Sequence, residues 1–329
     1  MRRREVITLL GATAAAWPLA ASAQQPDGQV RRIGFLDIFD PTDQVTRERW
    51  DVMRAELAKL GWIEGRNARF EVRFFAGDST RLGVHADELV RLAPDVIAVA
   101  FGPAAQALAR RTSAIPIVFS SVGDPVAIGL LRNIARPEGN VTGIASQYQS
   151  LGGKWLELLK EAAPGLARVA LVFAPDMVNN QYFGVIDAAA ATLGIRTVLT
   201  PYRNPAELEH AIAAFAAEPN GALVLVPPPP TPMNRELINR LALIHRLPTI
   251  YSNRYNVADG GLMSYGTNNI EAQRRVVSYV DRILRGVKID ELPVQFPTKF
   301  DLVINLRTAK AIGLAIPGTF LALADEVIE

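Results

Sequence analysis

Residues 96–109 read VIAVAFGPAAQALA. The apolar run Val96 to Phe101 is short for a helix, and Gly102-Pro103 ends it. A helix-forming run begins at once behind that turn. A strand without polar alternation is buried on both faces, which is the condition of a parallel sheet covered by helices. The turn carries no reactive side chain. Either it only packs, or the bare N–H groups of the following helix are themselves the tool, aimed at a small polar ligand.

The same alternation extends outward in both directions. RRIGFLDI opens a buried strand, and Trp50, Met53, Leu57 and Leu60 then recur at helical spacing up to Gly61. ARFEVRFF alternates as a half-exposed strand, a helix over 81–92 leads to the quoted stretch, and IPIVFSS is the next buried strand. ARPEGNVTG (135–143) breaks the pattern, which then restarts. ARVALVFA, IRTVLT, GALVLVP and LPTIY read as strands, separated by helices over 178–193, 205–217 and 232–245. The fold class is therefore α/β, with two doubly wound parallel-sheet lobes of similar size and no close repeat between them. Beyond Gly260 come GLMSYG, a helix over 270–285 and the extended LPVQFPTKFDLVINL, followed by a helical tail. So long an extended run suits a segment passing between two lobes.

The first 23 residues differ from the rest. MRRRE is basic, VITLLGATAAAWPLAA is apolar, and Ala21-Ser22-Ala23 offers a small-residue cleavage site. This order is that of a secretory signal peptide cleaved near Ala23-Gln24; the arginine pair Arg3-Arg4 leaves open the twin-arginine route. The formal net charge is +2. Three arginines and one glutamate leave with the leader, so the mature chain is close to neutral. No basic stripe interleaved with aromatics is present, which argues against nucleic acid. Cysteine is absent, which excludes disulfides, thiolate metal sites and a lipidated N-terminal cysteine. The expectation is a protein free in solution in the periplasm.

Enzyme signatures are lacking. The three histidines stand apart from one another and from carboxylates at metal-ligand spacing. There is no G-x-S-x-G elbow, no G-x-G-x-x-G after a strand and no phosphate loop. We expect no catalysis, no metal and no cofactor. The distinctive residues lie just past strands instead: Asp37, Gly102-Pro103-Ala104, Ser121 with Asp124, Asp176, Pro227 to Pro230 and Asn253. Open parallel sheets bind ligands outside the carboxyl ends of their strands, so two sheets facing each other make a cleft. Asp124, before Pro125, suits a helix cap as well as a ligand contact. Tyr251, Tyr255 and Tyr265 are the aromatics to place near a ligand.

Blocks such as ELAKLGWIEGRN, PDVIAVAFGPAAQALARRTSAIPIVFSSVGDPVAIGL, KWLELLKEAAPGLARVALVF, RLPTIYSNRYNVADGGLMSYG and YVDRILRGVKIDELPVQFPTKFDLVINLRTAKAIGL occur here in order. In them the mature chain resembles the ABC-transporter solute-binding proteins of the tryptophan/tyrosine-binding-like branch. The resemblance implies a type I periplasmic-binding-protein fold, two lobes joined by three crossovers and closing on a small molecule, with an ABC permease of the inner membrane as partner and a monomer as the state. It divides the mature chain into lobe one, 30–144 plus 262–295, and lobe two, 145–261 plus 296–329. It places the cleft loops on Asp37, Gly102, Pro103, Ala104, Ala105, Ser121 and Asp124 in lobe one. In lobe two they fall on Asp176, Asn180, Pro227 and Asn253, with Tyr265 beside a crossover. Two departures stand out. Phe101-Gly102 replaces a frequent small polar residue, and four prolines replace a polar turn. Delivery to a membrane sensor instead of a permease, or an exported α/β enzyme, are the alternative readings. The expected guest carries a carboxylate docked on the 102–105 turn beside Ser121, and Ala104→Leu is expected to block that turn without disturbing the fold.

Overall fold

Both faces of the Val96–Ala100 strand are covered, and all five of its residues are buried. The computed structural model describes residues 30–146, 151–175, 181–227 and 232–329. The leader, Asp176, Asn180 and Pro228 to Pro230 lie outside the described residues. The first sheet contains β1 (Arg31–Asp37), β2 (Ala68–Phe74), β3 (Val96–Ala100), β4 (Ile117–Val122) and β5 (Val141–Ala145), all parallel, in the order β2-β1-β3-β4-β5. The connecting helices α1 (Gln44–Lys59), α2 (Ser79–Arg91) and α3 (Gly102–Ala109) lie on its two faces. Ile97, Val99 and Phe119 point into one core with α2 and α3, and Ile33, Phe35, Ala98 and Val118 into the other with α1. This alternation is the period-2 geometry of a strand buried on both sides. Asp78 starts α2 by accepting from the N–H groups of Thr80 and Arg81.

The second unit is built from α4 (Gly152–Ala162), β6 (Arg168–Phe173), α5 (Gln181–Leu193), β7 (Arg196–Pro201), α6 (Pro205–Ala216), β8 (Gly221–Leu225), α7 (Pro232–Ile244), β9 (Thr249–Tyr251) and α8 (Arg254–Ala258). β10 (Met263–Thr267), β11 (Phe300–Asn305) and β12 (Glu326–Ile328) extend its sheet to seven strands in the order β12-β11-β10-β9-β8-β6-β7. Two helical turns, α10 (Leu306–Ala311) and α11 (Gly318–Leu321), fill the connection before β12.

The chain passes between the units three times: after β5, after β10 and before β11. α9 (Asn269–Leu284) follows β10 directly, yet its Val276, Val277, Tyr279 and Val280 pack in the core of the first sheet with Ile33 and Trp62. The Trp62 indole donates to Asp281 at 2.8 Å and fixes this docking. Residues 294–295 hydrogen-bond to Ile134, Gly143 and Ala145 of the first unit, and residues 300–305 join the second sheet. The extended segment therefore runs from one lobe to the other.

Three details differ from the sequence reading. Residues 263–267, expected with lobe one, pair with β9 and β11 in the second sheet, because apolar Met263 points into that lobe's core. β11 runs antiparallel to β10, since the chain re-enters from the other lobe and meets the sheet from its far end. The tail ends in a strand, Glu326–Ile328, paired parallel to β11, rather than in a helix. Among the described residues, no helix is long and apolar enough to cross a membrane.

Candidate functional site

The carboxyl ends of β1, β3 and β4 lie side by side, and Asp37, Gly102 and Ser121 sit at those three ends. α3 starts immediately at Gly102, with Pro103 in its first turn and no side-chain cap. The Ala105 N–H already bonds the Phe101 carbonyl at 3.1 Å and Ala104 has no exposed surface, which leaves the N–H of half-buried Gly102 as the donor of the turn that a guest can reach. A Cβ on Gly102 would come within 3.2 Å of the Ile128 side chain, so the chain runs close to the 122–128 loop there. Phe101 and Ser121 both have positive φ, 74° and 56°. Such backbone is costly for non-glycine residues and is held by surrounding structure, often at functional loops.

Other residues from the sequence reading are already engaged. The Asp124 carboxylate accepts from Val126 and Ala127 N–H groups at 3.0 and 2.9 Å, the cap its Asp-Pro context offered. Asp37 accepts from the Phe39 N–H at 3.4 Å and stands 3.9 Å from the Arg49 guanidinium. Ala104 and Ala105 have no exposed surface and sit in the α2–α3 core. Ala104→Leu would therefore overpack that core, contrary to expectation. Exposed Pro103 is the position at which bulk reaches the turn without displacing core atoms.

In the second lobe, Pro227 and Asn253 follow the neighbouring strands β8 and β9 and share one edge. Asn253 is buried and donates to the Ser252 hydroxyl at 2.8 Å. Tyr265 lies elsewhere. It packs against the α4–α5 core and tilts over Phe300 at 5.9 Å. Tyr251 is also withdrawn: it is buried, its hydroxyl donates to Asn239, and burial pushes that hydroxyl's pKa up. Of the three tyrosines, Tyr255 is the one that faces the first lobe.

Apart from Tyr255, the lobes meet through residues that the sequence reading did not select. Phe39, past β1, packs edge-on against Phe101 and against Tyr255, each at 6.0 Å, and Arg49 lies 4.5 Å above its ring. Asp43 stands at the start of α1 and accepts from Arg235 of α7 at 3.2 Å; their side chains are 9% and 3% exposed. Arg235 also places its Nε 2.6 Å from Asp259, at the end of α8. One buried guanidinium thus joins carboxylates of both lobes. Burial raises the Asp259 pKa, with Arg235 opposing the rise and Asp43 adding to it. Arg235 lies on the α7 stripe of Ile238 and Ala242, both buried. A charged residue at that spacing was the available signal. An open groove of about 1040 Å³ between α1, α7 and α8 flanks this contact. No cluster of histidine, cysteine and carboxylates able to hold a metal exists among the described residues.

Comparisons with known proteins agree with this architecture. A family model described as "ABC transporter substrate binding protein" matches residues 47–328. A tyrosine-binding protein of Clostridioides difficile is 25% identical over 266 residues, 78% of this chain and 74% of its own length. Among solved structures, a conserved domain protein from Vibrio cholerae superposes with a TM-score of 0.80 at 26% identity, covering 91% of this chain and all of that one. An ABC domain from Streptococcus pneumonia in complex with L-Trp gives the same TM-score and coverage at 20% identity, a likeness of fold.

Proposed function

This chain belongs to the family of ABC transporter substrate-binding proteins, and from that premise we propose that it captures an amino acid or another small carboxylate between its lobes and delivers it to an ABC importer. The observation that carries the reading is the pair of strand-end walls facing one another, bridged by Phe39–Tyr255 and Asp43–Arg235. Such a bridge forms only when the lobes are together, which is the state that would enclose a ligand. The N–H of Gly102 supplies a donor, and the start of α3 roughly half a positive charge, to a carboxylate, with no competing side chain. Ser121 stands beside them. The relatives support the class of guest, since one is named for tyrosine and another is in complex with L-Trp. Export, with cleavage near Ala23-Gln24, follows from the tripartite leader. The role is binding and release, without chemistry on the guest.

A thermal-shift panel on the chain from Gln24 tests the class of ligand. It sets L-tryptophan, L-tyrosine and other amino acids beside aromatic acids and the matching decarboxylated amines. At a hundredfold excess over Kd a ligand adds about 2.7 kcal/mol of stability. At least one carboxylate is expected to raise the unfolding midpoint, and its decarboxylated partner is not. Stabilisation by neutral sugars alone would reject the carboxylate.

A further inference from the structure

Asn220-Gly221, at the turn from α6 into β8, is the one Asn-Gly pair in the sequence. The fold requires both residues. Asn220 has a φ of 58°, a region that asparagine and glycine enter more readily than other residues. Gly221 is buried, and a Cβ there would come within 2.6 Å of the Phe215 ring, so no larger residue fits. The pair lies at the amino end of β8, away from the carboxyl ends that form the strand-end walls.

The turn leaves the reactive groups of this pair uncommitted. Asn220 is exposed, and its carboxamide makes no hydrogen bond among the described residues. Asn67, Asn140 and Asn305, by contrast, have their side chains bonded to the backbone. The Asn220 carbonyl takes the Ala167 and Arg168 N–H groups at 3.0 and 3.3 Å. The Gly221 N–H points away from β6 and has no partner among the described residues. Arg168, 4% exposed, stands beside it: the guanidinium carbon lies 3.5 Å from where a Gly221 Cβ would be. Hydrogen bonds to the Phe215 and Pro219 carbonyls, at 2.7 and 3.0 Å, hold the guanidinium there. Its nearest carboxylate, Glu218 at 3.7 Å, is exposed and also paired with Arg196. A cation at such range favours the anionic form of its neighbour.

We propose that Asn220 is a site of self-modification, at which the Gly221 nitrogen attacks the Asn220 carboxamide. Hydroxide removes the N–H proton, the nitrogen bonds to Cγ, and the Cγ–Nδ2 bond breaks. Ammonia leaves, taking a proton from water, and a cyclic succinimide remains. Water then opens the ring. Opening at Cγ gives aspartate; opening at the main-chain carbonyl gives isoaspartate, whose backbone runs through Cγ. The net change is carboxamide plus water to carboxylate plus ammonia, with nothing oxidised or reduced. Arg168 favours both the nitrogen anion and the carboxylate that replaces the amide. In the isoaspartate, the carbonyl that accepts from Ala167 and Arg168 leaves the main chain, which alters the start of the β6–β8 pairing.

Incubation of the folded mature protein in mildly alkaline buffer, beside the same chain unfolded in guanidinium chloride, tests the site by peptide mapping. Asn220 of the folded protein is expected to convert to a mixture of aspartate and isoaspartate, at a rate within tenfold of that in the unfolded chain. The rate is expected to rise with hydroxide concentration, while Asn140 and Asn305 of the folded protein stay intact. Retention of Asn220 in the folded protein, over a time in which the unfolded chain converts fully, would overturn the proposal. Aspartate formed without isoaspartate would overturn it too, because that product needs no ring and no attack by Gly221.

Discussion

Arg235→Leu is expected to open the lobes. In the parent this guanidinium is almost wholly buried and is shared by Asp43 of the first lobe and Asp259 of the second. Without it, two carboxylates face each other across the interface with no counter-charge. Removing one partner of a buried ion pair costs about 3–5 kcal/mol. Each lobe keeps its own core, so the strain is relieved most simply by separation of the lobes. A bias of that size changes the ratio of closed to open molecules by a factor of roughly a hundred or more. Small-angle scattering of the ligand-free variant should show a larger radius of gyration than the parent, and ligand affinity should fall by a comparable factor. A variant with parent-like scattering and affinity would show that the ion cluster does not hold the lobes together.

Trp155→Ala is expected to be the most damaging single change in the second lobe. Trp155 is 1% exposed and lies in the α4–α5 core together with Leu159, Ile186 and two residues of β6, Val169 and Leu171. Its indole N–H donates to the Tyr265 carbonyl at 2.8 Å, so it ties the helix after the first crossover to the strand before the second. Truncation of a buried Trp costs about 3–5 kcal/mol in lost burial and cavity, and the Tyr265 carbonyl is left without its donor. Hydrogen exchange should accelerate across β6, β8 and β10, with the first sheet little affected. Uniform acceleration in both lobes would mean that they unfold as one unit.

Much of the fold was legible because buried parallel strands and amphipathic helices write strong local patterns. Val96–Ala100 and Arg168–Phe173 lie where the apolar runs placed them, and α9 begins one residue from its expected start. The misplacement of Met263–Thr267 has a physical cause. A five-residue strand at a crossover carries no local sign of which sheet will pair with it, and only its backbone partners in β9 and β11 decide that.

The site was less legible, for the same reason. Asp37, Gly102 and Ser121 are marked by position after a strand, and they do converge. Asp124 carries the same mark and is a cap. Tyr265 is in mid-strand, where the pleat turns it into the core. Arg235 and Asp43 lie 192 residues apart, and neither has a local pattern that names the other. Interlobe contacts exist only once both lobes are folded, so sequence periodicity cannot reveal them.

The most direct test is a calorimetric titration of the best-stabilising carboxylate against the mature protein and its Pro103→Trp variant. Pro103 is exposed at the first turn of α3, so an indole there covers the turn without entering the core. The expected result is saturable binding to the parent and at least tenfold weaker binding to the variant, with the unfolding midpoint of the ligand-free protein unchanged. Equal affinity in the two proteins would contradict capture at the strand-end cleft.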